Sequence, residues 1–212
     1  MKSKSLLFLI RNLLCFVSAS VISAGVLYSQ NLAYTETGNL ISDSRDGQTI
    51  GVVEIGGAVW MSENLNFDAP AGCWCYNNDP SYCEVYGKLY DWETALKACP
   101  DGWHLPGEAE VLAMMNKLGG GDVAGGKMKE KGIAHWTRPN SRATNSSGFT
   151  ALPAGSYLNG KFDLLGYMAT WWMADEKSKT SARCFTVCCE AGDLFIITNK
   201  KQAALSVRCI KD

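Results

Sequence analysis

The chain has 212 residues, of which 47% are hydrophobic and 19% charged, and a formal net charge of -1. That length suits one packed domain with an extension. Its Lys and Arg residues form no basic run, which excludes nucleic acid as a partner on electrostatic grounds.

Lys2 and Lys4 precede a largely apolar stretch from Leu6 to Leu27, broken by Arg11 and Asn12, and no acidic residue occurs before Glu36. This is the pattern of a secretory signal peptide, expected over residues 1–30. Its longest uncharged run, Leu13 to Leu27, falls short of the ~20 residues that span a bilayer and is diluted by Ser18, Ser20 and Ser23. No stable membrane span is therefore expected after cleavage, which Ser23, Ala24, Gly25 and Ser29 put between positions 24 and 31. The processed protein is expected to be secreted or held in the cell envelope.

Cys15 leaves with the leader; Leu14 before it is not the small residue that lipid attachment needs. Cleavage also takes Lys2, Lys4 and Arg11 from the 20 basic residues, leaving 17 against 21 acidic and a net charge of about -4. Eight cysteines remain: Cys73, Cys75, Cys83, Cys99, Cys184, Cys188, Cys189 and Cys209. Their spacings lack the repeated C-x2-C pairs of a metal cluster, and only His104 lies near one of them, so disulfides are expected and no cofactor or metal is implied. Counting alone leaves the pairing open.

Residues 31–42 (NLAYTETGNLIS) read as a tether and 43–212 as the domain. Ile50 to Ile55 and Ala58 to Met61 flank Gly56-Gly57, a two-residue hairpin signal. Apolar residues at Tyr86, Leu89, Tyr90, Ala95 and Leu96 predict a first helix from Tyr86 to Ala98, stopped by Pro100 and Gly102. Glu108 and Glu110 open a second, whose stripe is Val111, Leu112, Met114, Met115 and Leu118. Gly119 to Gly121 and Gly125-Gly126 read as a loop. Beyond residue 145, short β-like runs occur at Phe149–Leu152, Thr170–Met173, Arg183–Cys188, Leu194–Thr198 and Leu205–Ile210. The order is α+β, with the last strand expected to return beside the first hairpin.

Several phrases then carry a resemblance: RDGQT (Arg45–Thr49), VWMSENLN (Val59–Asn66), GKLYDWETA (Gly87–Ala95), ACPDGWHLP (Ala98–Pro106), GFTALPAG (Gly148–Gly155) and SVRCIKD (Ser206–Asp212). Over residues 43–212 the chain resembles the Fibrobacter succinogenes major paralogous domain. It departs where that family usually has Ser for Gly107, Trp for Val111, and a WWS-T-E phrase for Trp171–Glu176. GWHLP, the paired tryptophans and the terminal VRC are also similar to the C-type lectin-like fold shared by the formylglycine-generating enzyme. The resemblance implies two helices packed on small antiparallel sheets, stapled by Cys99–Cys209 and Cys75–Cys83. Cys73, Cys184, Cys188 and Cys189 are then expected to form two further bridges, Cys73 reaching one of the late three.

No G-x-S-x-G, H-E-x-x-H or phosphate loop occurs, nor does a lectin calcium triplet; Arg138-Pro139-Asn140 has the wrong first residue. His104 is expected to anchor the loop between the helices, and His135 to be an ordinary loop residue. Trp60, Trp92 and Trp103 read as core. Trp74 and Trp136 lie in loop-like segments, and Trp171 and Trp172 point to opposite faces of a strand, so one of them is free to meet a ligand. Trp74, Trp136, Trp172 and Tyr157 are therefore the candidate binding residues. The function expected is a non-catalytic binding module for polysaccharide or a surface protein. Its rivals are a structural or adhesive surface protein and a divergent oxidoreductase of the formylglycine-generating type, for which vicinal Cys188-Cys189 is the suggestive pair.

Overall fold

A computed structural model of the chain describes residues 39–212. The expected leader, Cys15 and most of the tether lie outside the described residues. The end of the tether does not: Leu40–Ser42 is strand β1, paired antiparallel with β2 (Thr49–Ile55), so the folded part starts before Asp43. Ile41 is the reason, because its side chain is buried in the core on that strand.

Strand β2 turns at Gly56 and Gly57, both at positive φ, into β3 (Ala58–Met61), as the hairpin signal requires. Next come the two-residue strand β4 (Cys73–Trp74), helix α1 (Pro80–Tyr86), β5 (Leu89–Tyr90) and helix α2 (Trp92–Ala98). The predicted helix over Tyr86–Ala98 is thus broken in the middle. Gly87, at φ 72, ends α1; Leu89 and Tyr90 pair with β4; and the Asp91 carboxylate accepts the Thr94 N–H to start α2 afresh.

Strand β6 (Trp103–His104) leads to α3 (Glu108–Lys117) and then α4 (Gly121–Met128), a fourth helix where the sequence reads as a glycine loop. The glycines serve close packing: a Cβ on Gly125 would lie 2.1 Å from the Asp193 carbonyl oxygen, and one on Gly126 2.5 Å from that of Arg142. Later come the hairpin β7 (Ser156–Leu158) and β8 (Lys161–Asp163), then β9 (Met168–Ser178), β10 (Ser181–Cys188), β11 (Phe195–Lys200) and β12 (Ile210–Lys211). Phe149–Leu152 holds only an isolated bridge, Ala151 to Lys129.

The architecture is α+β. One sheet runs β1-β2-β3-β12-β6, with Ile210 opposite Trp60, so the last strand does return to the first hairpin. A second sheet runs β11-β10-β9. It separates two apolar cores: Trp172 and Cys184 face the one containing Tyr90, Trp92 and Trp103, while Trp171 and Phe185 face the other, with Trp60, Phe149 and Trp136. No helix among the described residues is long and apolar enough to cross a membrane.

Two disulfides form, Cys75–Cys83 and Cys99–Cys209. The two further bridges expected from the remaining cysteines do not: Cys73, Cys184, Cys188 and Cys189 are free. Packing explains the difference for two of them, since Cys184 is buried in the first core and Cys189 in the second, on opposite sides of the sheet.

Candidate functional site

Of the four aromatic candidates, the fold brings two together and buries the other two. Trp172 is fully buried because its sheet is covered on both faces, and its indole N–H donates to the Tyr90 carbonyl at 2.7 Å. Trp136 is buried too, donating to the Ala151 carbonyl at 3.0 Å with the Lys129 ammonium over its ring. Both are core residues, which corrects their expected role at a surface. Trp60, Trp92 and Trp103 are buried as expected.

Trp74 and Tyr157, by contrast, are half-buried and stacked, with ring centroids 5.1 Å apart and planes 27° from parallel. The backbone makes this pairing. Trp74 sits on β4, which pairs with β5, and Tyr90 of β5 exchanges two backbone hydrogen bonds with Leu205. Ala204 exchanges two with Tyr157. The extended segment after β11 therefore holds both aromatic-bearing strands side by side, and the β7–β8 turn at Asn159 and Gly160, both at positive φ, presents its polar tip beside them.

Trp74 and Tyr157 form one wall of an open groove of about 580 Å³, whose polar lining includes Asp91, Glu93, Asn159, Lys179, Lys201 and Gln202. Two carboxylates thus face two ammonium groups. Lys201 is already engaged, reaching Glu176 at 3.2 Å and Glu93 at 3.7 Å over the Trp92 ring. Asn159, Lys179 and Gln202 are exposed. From Tyr157 the rings continue through Phe162, Tyr76, Tyr82 and Tyr86 to His135, with neighbouring centroids between 4.6 and 6.3 Å apart. Burial raises the pKa of Tyr76 and Tyr86, so these phenols stay neutral.

The histidines lie elsewhere. His104 bonds Asp212 Oδ1 through Nδ1 at 2.6 Å and Glu110 Oε1 through Nε2 at 2.9 Å, which ties the loop before α3 to the last strand. His135 bonds Glu130.

Sequence reasoning missed two buried cations. Arg208 is fully buried and donates to Asn64 Oδ1 and to the carbonyls of Met61, Phe149 and Thr150. Lys129 donates to the carbonyls of Ser141, Cys188 and Ala191 at 2.7 to 2.9 Å. The Arg208 network has a signal in the sequence, since Arg208 and its partners lie in three of the phrases that carry the resemblance; Lys129 has no comparable signal. Among the described residues, no cluster of three or more His, Cys, Asp or Glu could hold a metal ion.

The family model for the Fibrobacter succinogenes major domain matches residues 53–211, and the chain belongs to that family. Neither the curated proteins nor the solved structures contain a match to the chain.

Proposed function

We propose that this protein is an exported, non-catalytic binding module that holds polysaccharide in the groove at Trp74 and Tyr157, on a C-type lectin-like scaffold. The stacked, half-exposed pair carries the reading. An aromatic face packs well against the C–H face of a pyranose, and amide and carboxyl groups such as Asn159, Gln202 and Asp91 suit its hydroxyls. The balance of two carboxylates against two ammonium groups favours an uncharged polymer over a polyelectrolyte. Export is supported by the leader pattern and agrees with the two disulfides. The lectin-like reading draws on the first and last strands sharing a sheet and on the staple from the end of α2 to the C-terminal segment.

The test is a pull-down on insoluble polysaccharides, backed by a glycan array. Trp74→Ala and Tyr157→Ala are expected to weaken binding at least about tenfold while leaving the fold intact. Trp172→Ala and Trp136→Ala are expected to act through stability instead, costing about 3 to 5 kcal/mol. Undiminished binding by both Trp74→Ala and Tyr157→Ala, or no glycan bound by the folded protein, would refute the reading.

A further inference from the structure

The three-stranded sheet has one closed edge and one open one. Chain from elsewhere closes β9: the Trp172 N–H donates to the Ser206 carbonyl and the Ala174 N–H to the Pro106 carbonyl. β11 is the other edge, and one hydrogen bond beyond its end tells which of its backbone groups face inward. The Lys201 N–H donates to the Thr180 carbonyl at 3.0 Å, in the same register that sets Lys200 against Ser181 and Ile197 against Cys184. Backbone groups alternate along an antiparallel ladder, so Phe195, Ile197 and Asn199 turn theirs to β10. Leu194, Ile196, Thr198 and Lys200 turn theirs outward.

The chain itself closes both ends of that outward row. The Leu194 N–H donates to the Gly121 carbonyl, the Lys200 N–H donates to Asn199 Oδ1, and the Lys200 carbonyl accepts the Ala203 N–H. Within β11 the N–H and carbonyl of Ile196 and of Thr198 stay without a partner among the described residues, four groups centred on Ile197. Phe195 and Ile197 share one face of the strand and stand beside this gap at 49% and 39% exposure; Phe195 is the most exposed large apolar side chain among the described residues.

An open strand edge flanked by apolar side chains is a template for another strand. Symmetry and charge choose which. Two copies of β11 laid antiparallel about a twofold axis at Ile197 set Ile196 of each opposite Thr198 of the other, and this register lets the open groups of both copies form four hydrogen bonds. It also sets Ile197 against Ile197, with each Phe195 on the diagonal. The strand is entered through Glu190 and Asp193 and left through Lys200 and Lys201, so the antiparallel pair puts the acidic end of each copy beside the basic end of the other. A parallel pair would put like beside like. We propose that β11 pairs with β11 of a second copy of this chain, joining two three-stranded sheets into one of six strands. This surface does not depend on the reading of the aromatic groove.

The experiment is sedimentation velocity of the purified native protein from about 1 to 500 μM, with amide hydrogen exchange at both ends of that range, because one strand edge is a small interface. Expected is a concentration-dependent passage from monomer to dimer, in which protection of the Ile196 and Thr198 amides rises at least about fivefold. Ile197→Lys sets two ammonium groups face to face on the twofold axis, and Thr198→Pro removes an outward N–H that the monomer leaves unused. Each is expected to keep the native circular dichroism and to weaken dimerisation at least about tenfold. If Thr198→Pro does not fold, Ile197→Lys decides. A protein that stays monomeric throughout, which leaves the edge to another protein's strand or to water, overturns the proposal. So does a dimer that Ile197→Lys leaves unchanged, or one that forms without added protection at Ile196 and Thr198, because its interface then lies elsewhere.

Discussion

Asp175 Oδ2 accepts the backbone N–H of Glu108 at 2.6 Å, so a carboxylate on β9 caps the first turn of α3. The N-cap residue itself, Gly107, has no side chain to do so, although its own N–H donates to Glu110 Oε2 at 2.8 Å. Asp175 thus supplies across space the oxygen that a Ser at 107 would supply locally, and both positions are departures from the family pattern. Asp175→Ala is expected to cost about 1 kcal/mol in denaturant unfolding. A Cβ on Gly107 would lie 3.7 Å from Asp175 Oδ2, an ordinary contact, so Gly107→Ser fits. In the Gly107→Ser background the loss from Asp175→Ala should shrink by half or more; an additive pair of losses would show that the two oxygens do not share one task.

His104 makes stability depend on pH. Burial pulls its pKa down, but the hydrogen bonds to Asp212 and Glu110 outweigh that and leave it above its ordinary value. A base whose pKa is raised by folding binds its proton more tightly in the native state. Its contribution is therefore complete below the unfolded value, about 6.5, and is lost as pH rises through the higher folded value. Melting temperature is expected to fall across that window, and His104→Gln should flatten the slope. An NMR titration placing the His104 pKa below that of an unfolded histidine would contradict the assignment.

What could be read in the sequence is what is local. Gly56-Gly57 announced the first hairpin because the turn needs positive φ there, and Glu108 and Glu110 announced α3 through the charge preference of its first turn. The break between α1 and α2 was hidden because Leu89 and Tyr90 match a helical stripe; only their pairing with Cys73 and Trp74 makes them strand. In α4 the glycines disguised a helix whose neighbours approach too closely for any side chain. The groove was half legible. Trp74 and Tyr157 stand out in the sequence, but their stacking is made by Ala204 and Leu205 from far along the chain, and Trp172 is buried because the sheet carries a core on each face, which no strand pattern reveals.

Arg208 should be the most sensitive polar position. Burial pushes its pKa down to about 9, against the opposing pull of Glu63, so the guanidinium stays charged at neutral pH. Arg208→Ala removes every donor at once from the carbonyls of Met61, Phe149 and Thr150, and leaves Asn64 Oδ1 with only the Trp171 indole N–H, at 2.8 Å. A loss of about 3 to 5 kcal/mol is expected in urea unfolding. Arg208→Lys should recover only part of it, since one ammonium cannot span four acceptors on two separate stretches of chain.

The sulfur chemistry divides the same way. Cys99–Cys209 closes a separation of 110 residues, for which the chain-entropy model gives about 4 to 5 kcal/mol. Replacing both cysteines by Ser should lower unfolding stability by roughly that amount. Alkylation of the native protein is expected to reach Cys73 and Cys188, which are half-exposed, and to spare Cys184 and Cys189 until unfolding. Cys184 is doubly protected, because burial also pushes its thiol up to about 12 and leaves almost no thiolate to react. Peptide mapping without reduction should find two cross-links, 75 to 83 and 99 to 209. A cross-link from Cys73, which packs against the first core, to Cys189 in the second would mean that the sheet separating the two cores admits a covalent tie that its packing as described does not make.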